Sequence, residues 1–116
     1  MKAKMTYLDE EKKYPIVFDL NVMEEIQEFY GSMSKWASLT EVDGEPKIKD
    51  LKFGIHAMIN EAIDIENEKR EEKAEMITPK QVGRLMTEIG LDTVINKIQE
   101  LTVESTSVGD ETGKNE

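Results

Sequence analysis

Apolar and polar residues alternate at the start of the chain. Ala3, Met5 and Tyr7 fall on one parity, and Lys2, Lys4 and Thr6 on the other. A period of two predicts a half-buried strand. A charged break, Asp9-Glu10-Glu11-Lys12-Lys13, separates it from a second alternating run, Tyr14 to Leu20, with Ile16, Phe18 and Leu20 on one face. Pro15 lacks the N–H that a ladder needs, which places it at a strand start or an edge. The two runs read as a β-hairpin, although the break has no Asn-Gly or Asp-Gly turn.

After Leu20 the period becomes helical. Asn21 and Glu24 have capping-box-like spacing, and Val22, Met23, Ile26, Phe29 and Tyr30 form an apolar face that Gly31 closes. Ser32 can cap a short helix carrying Met33, Trp36 and Leu39, before a loop over 41–46. The longest helix is predicted from Ile48 or Lys49, with a stripe of Leu51, Ile55, Met58, Ile59, Ala62 and Ile63. Gly54 interrupts that stripe at a cost of about 1 kcal/mol relative to alanine. It marks either close helix packing or a late helix start.

Nine of the thirteen residues from Asp64 to Met76 are charged, so this stretch reads as a solvated helix extension or a mobile linker, with fraying expected after Asn67. Glu66 and Arg70 are a favourable i,i+4 pair. Thr78-Pro79-Lys80-Gln81 is the clearest helix start: a cap, a proline at the first position and a glutamine to complete the box. Val82, Leu85, Met86 and Ile89 follow, and Gly90 ends the helix. Asp92 is the expected cap of a last helix with Val94, Ile95, Ile98 and Leu101. From 104 to 116 only Val108 is apolar, which predicts a disordered tail. The expected class is therefore α+β, mainly α: an N-terminal β-hairpin and four to five helices in a small bundle. One domain spans 1–103, followed by a disordered acidic tail over 104–116.

The chain has 116 residues, with 15 Lys and Arg against 25 Asp and Glu, a net charge of −10. The length suits one domain without a deep interdomain cleft. The absence of cysteine excludes disulfides, a thiolate nucleophile and Cys-based metal sites. The acidity disfavours nucleic acid and anionic lipid as partners, and no apolar run is long enough to span a membrane. The charge is uneven. Residues 64–76 carry six acids against three bases and residues 104–116 four against one, so the rest of the chain is closer to neutral.

Candidate chemistry is sparse. His56 is the only histidine and reads as a flank residue of the long helix. Gly109-Asp110-Glu111-Thr112-Gly113-Lys114 is one residue short of a phosphate-binding loop, and Asn115 stands where Ser or Thr should hold magnesium. The cluster Asp9-Glu10-Glu11 lacks calcium-loop spacing. No catalytic residue, cofactor or metal site is assigned, and the chain is not expected to be an enzyme. Its methionines, among them Met23, Met33, Met58, Met76 and Met86, suit core filling or an adaptable apolar surface.

The order of elements carries a resemblance. "YPIVFDLNVMEEIQEFYG" leads from hairpin to first helix, "KIKDLKFGIHAMINEA" supplies the long helix, and "ITPKQVGRLMTEIG" with "LDTVINKIQEL" ends the fold. Over about residues 5–101 this resembles the small tail assembly chaperones of long-tailed bacteriophages and the related gene-transfer-agent proteins. The carrying features are Phe18-Asp19-Leu20-Asn21 before an acidic-apolar helix, Leu51 opening the long helix, and Ile77-Thr78-Pro79 with Val82-Gly83. The resemblance implies a cytoplasmic protein of the bacterial host, absent from the finished particle. Such a protein binds the helical tape measure protein, keeps it soluble and helps recruit tail tube protein subunits. It also implies that a longer, frameshifted product is common.

No functional residues transfer from the family. The candidate contacts are instead the apolar positions expected to be incompletely buried: Met33, Trp36, Leu39, Ile55 and Met58. The alternatives are a structural tail tube or head–tail connector component, or an acidic inhibitor of a DNA-binding protein.

Overall fold

The computed structural model describes residues 5–9, 11, 14–40 and 47–114, with side chains as far as Thr102. Its elements are β1 (Thr6–Tyr7), β2 (Pro15–Ile16), α1 (Leu20–Tyr30), α2 (Met33–Thr40), α3 (Ile48–Asn67), α4 (Pro79–Ile89) and α5 (Leu91–Lys114). The fold is mainly helical with a small antiparallel hairpin at its N-terminus, as the patterning predicts. The expected loop over 41–46 and the start of the first strand, including Ala3, lie outside the described residues.

The ladder is shorter than the alternation implies. Thr6 pairs with Ile16 and Tyr7 with Pro15, and the Leu8 N–H donates to the Tyr14 carbonyl at 2.9 Å. Hydrogen-bonded pairs alternate along an antiparallel ladder, so Tyr7–Pro15 is the pair that needs no N–H from position 15. Beyond Ile16 the chain docks on α3 instead of extending the sheet: the Val17 N–H donates to the Met58 carbonyl at 3.3 Å. Ile16, Val17 and Phe18 are all buried, whereas Leu20 is 68% exposed because the chain has already turned into α1.

The cap of α1 is Asp19 rather than Asn21. Asp19 Oδ1 accepts the Val22 N–H at 3.1 Å, and a carboxylate also complements the positive end of the helix dipole. Asn21 thus lies within the first turn, and its amide is free to donate to Glu61 Oε2 on α3 at 2.8 Å. Gly31 ends the helix at φ 94°, its N–H bonded to the Gln27 carbonyl at 2.7 Å. Ser32 serves as expected: its Oγ accepts the Lys35 N–H at 3.0 Å.

Helix α3 runs through the middle of the core. Leu51, Ile55, Met58 and Ile59 are buried in one cluster with Ile16 of the hairpin, Phe18 just after it, Val22 and Ile26 of α1, and Val82, Leu85 and Met86 of α4. Its end at Asn67 coincides with the expected fraying point. The next residues neither extend the helix nor run free of it: they turn back along α3 and are fastened by two asparagines. Asn67 accepts the Ala74 N–H at 2.9 Å and donates to the Ala74 carbonyl at 3.0 Å. Two turns earlier, Asn60 accepts the Ile77 N–H at 2.7 Å and donates to the Ile77 carbonyl at 3.1 Å. The Lys73 ammonium donates to the carbonyls of Asn67 and Arg70, closing the helix end with a cation.

Ile77 delivers the chain directly into α4. Thr78 and Gln81 form the expected reciprocal box: the Gln81 N–H bonds Thr78 Oγ1 at 3.2 Å, and the Thr78 N–H bonds Gln81 Oε1 at 2.8 Å. Gly90, at φ 104°, closes α4. Helix α5 then begins at Leu91, so Asp92 lies in its first turn rather than capping it. Val94, Ile98 and Leu101 are buried. The backbone of α5 runs as helix to Lys114. The phosphate-loop-like stretch 109–114 lies within that helix, which excludes the loop geometry such a motif requires.

Candidate docking surface

The structure corrects most of the expected contact residues. Trp36, Ile55 and Met58, expected to be incompletely buried, are fully buried and belong to the core. Met33 and Leu39 are half-buried and pack against the same core. For Trp36 the reason is Gly54. A Cβ there would overlap Cζ2 of Trp36, so the glycine lets the indole seat against the α3 backbone. Trp36 Nε1 donates to the Asp50 carbonyl at 3.0 Å, which satisfies its one polar atom. The glycine therefore marks close packing and not a late helix start.

The exposed aromatic surface lies one step away. Phe29 at the end of α1 is 58% exposed and stacks on Phe53 of α3, with ring centroids 4.7 Å apart and planes at 26°. Tyr30 meets the edge of Phe53 at 5.3 Å and lies 4.9 Å from Phe29. The Tyr30 hydroxyl donates to Asp50 Oδ1 at 2.5 Å. Burial, then the hydrogen bond and charge of Asp50, push the Tyr30 phenol well above its ordinary range, so it stays a donor. Phe29 and Phe53 thus form a ledge braced by Tyr30, whose ring meets both and whose hydroxyl is held by Asp50.

Phe29 was legible as an apolar residue of α1, but it sits at the edge of the arc whose centre is Val22, Ile26 and Tyr30. Phe53 is out of phase with the Leu51–Ile55–Met58–Ala62 stripe and shares its arc with Lys49, His56 and Asn60. A large aromatic residue on an otherwise polar arc is the signal that could have found it.

Further along the same two helices is a shallow recess of about 230 Å³, edged by Asn21 and Glu25 of α1, by His56, Asn60, Glu61 and Asp64 of α3, and by Met76. His56 Nε2 lies 3.0 Å from the Ile77 carbonyl and 3.1 Å from Asn60 Nδ2. It is therefore part of the clamp on the returning chain. The Glu61 carboxyl is pushed up to about 7, first by its hydrogen bond with Asp19, then by burial and by the charges of Asp19 and Asp64; the Asn21 amide opposes the shift.

Among the described residues no group of three or more His, Asp or Glu side chains could hold a metal ion. No helix among them is long and apolar enough to cross a membrane. The chain matches no protein-family model, no curated protein and no solved structure.

Proposed function

We propose that the protein is a tail assembly chaperone, a binding protein rather than an enzyme. It covers apolar stripes of a long helical partner of the tape measure type, keeps that partner soluble and helps recruit tail tube subunits. The observation that carries this reading is the exposed ring of Phe29 stacked on the half-buried ring of Phe53. Stacked rings braced by Tyr30 offer apolar area at little entropic cost, the property that makes aromatic residues effective anchors in interfaces. An amphipathic helix presents the complementary surface as side chains at i, i+3, i+4 and i+7. The resemblance of residues 5–101 to phage tail assembly chaperones supports the choice of partner, and the net charge of −10 gives the complex a solubilising surface.

The test is co-expression with a tape measure protein, scored by the soluble fraction of that partner. The wild-type chain raises the fraction, and Phe29→Ser combined with Phe53→Ser removes the effect while the variant itself stays folded. Partner solubility that is the same with the wild-type chain, the variant and no chain at all would sink the reading.

A further inference from the structure

We propose that the Phe29–Phe53 ledge pairs with the same ledge on a second copy of this chain, so that the free protein forms a two-fold dimer. The inference goes beyond the helix-docking reading: it concerns what covers the rings when no tape measure helix is bound.

The ledge lies between charges of opposite sign. Helices α1 and α3 run antiparallel, since Tyr30 meets Asp50 at one end and Asn21 meets Glu61 at the other. On α1, Glu25 precedes Phe29 by four residues, one turn along the same face. On α3, Lys49 precedes Phe53 in the same way. The two rings stack, and the helices run in opposite directions, so these equal steps lead away from each other. Lys49 lies about 6 Å along the helix to one side of the rings and Glu25 about 6 Å to the other. Both side chains are exposed, and among the described residues neither has an ion-pair partner. Their surroundings share the polarity. Helix α1 carries Glu24, Glu25 and Glu28 and no base, and the chain enters α3 through Lys47 and Lys49, whereas Asp50 is taken up by Tyr30.

That arrangement is self-complementary. A two-fold axis through the rings, lying in the interface and perpendicular to the line from Lys49 to Glu25, brings Lys49 of each copy opposite Glu25 of the other. It also sets aromatic surface on aromatic surface. A foreign partner would have to carry the matching charge order, and a second copy carries it by symmetry. The net charge of −10 on each copy opposes association at long range, but it is screened beyond about 8 Å at physiological ionic strength. The contacts at the ledge therefore decide. Two rings per copy give little apolar area, which places the dimer in the weak, concentration-dependent class.

The experiment is sedimentation equilibrium of the full chain over a concentration series at about 0.15 M salt. The wild-type chain is expected to pass from monomer to dimer as concentration rises. Lys49→Glu and Glu25→Lys, each alone, are expected to raise the dissociation constant about ten-fold or more, because each turns two attractions into two repulsions. Both positions are exposed, and an acid in the first turn of α3 suits the helix dipole, so circular dichroism should show both variants folded. Mixing the two variants in equal amounts, or combining both substitutions in one chain, is expected to restore the dimer. Phe29→Ser is expected to abolish it. A wild-type chain that stays monomeric up to about 1 mM overturns the inference. So do single variants or a Phe29→Ser variant that dimerise like the wild type, or a charge swap that restores nothing. Partner solubility on co-expression scores the tape measure reading separately: a dimer that solubilises no partner sinks that reading alone, and a monomer that solubilises its partner sinks only the dimer.

Discussion

The indole of Trp36 fills the space that a side chain at position 54 would need, and its Nε1–H bonds the carbonyl of Asp50, one helical turn before that glycine. A tryptophan on a short helix is thereby keyed into the backbone of a long one. Gly54→Ala should destabilise the fold by about 1–3 kcal/mol through overpacking, despite alanine's better helix propensity. Equilibrium denaturation of the two proteins checks it; a stabilised variant would show that the indole is not seated there.

Trp36→Ala should cost about 3–5 kcal/mol, the range for deleting a buried large aromatic side chain. Phe29→Ser, at an exposed position, should cost under about 1 kcal/mol. Chemical denaturation of both variants distinguishes core from surface. Loss of partner binding in a Trp36 variant would thus report unfolding, whereas loss in a Phe29 variant would report the interface.

Stability should depend on pH through Glu61. Its folded-state value of about 7 lies above the ordinary carboxyl value, so the folded protein holds this proton more tightly than the unfolded chain does. The contribution is complete below about pH 4.5, shrinks as pH rises, and is gone once pH passes through about 7. Melting curves at pH 5.5 and pH 8 should show the higher midpoint at pH 5.5. Glu61→Gln should flatten that difference, since the amide can still donate to Asp19 and accept from Asn21.

The two asparagine clamps should be separable by hydrogen exchange. Asn60→Ala should expose the Ile77 N–H and loosen the entry to α4, with a loss of about 1–3 kcal/mol for the backbone groups left unsatisfied. Asn67→Ala should expose the Ala74 N–H alone. Deprotection of both amides by either substitution would mean that the segment opens as one unit.

How much of this was legible in the sequence depends on whether the controlling interaction is local. The α4 start was readable because Thr78, Pro79 and Gln81 act within one turn. The limits of α3 were readable from the change from apolar stripe to charge run at Asn67. The α1 cap was misread by two residues because Asn21 is used across space by Glu61, forty residues away. The burial of Trp36 depended on Gly54 admitting an indole, a contact between two helices that no periodicity encodes, whereas Ile55 and Met58 are buried as members of the stripe itself. The exposed ledge was missed for the complementary reason. Phe53 lies off its own helix's stripe and finds its neighbour, Phe29, only once α1 and α3 are packed.

The paired asparagines also determine where this protein can be rewritten. Asn60 fixes Ile77, and Ile77 leads straight into the cap of α4, so the position of α4 is anchored two turns upstream of the charged loop rather than by the loop itself. Residues 68–73, exposed and bracketed by the Asn67–Ala74 clamp, are consequently spliceable. A reporter inserted between Glu71 and Glu72, or new termini opened there, would leave the packing of α1 on α3 and the four-residue start of α4 in register.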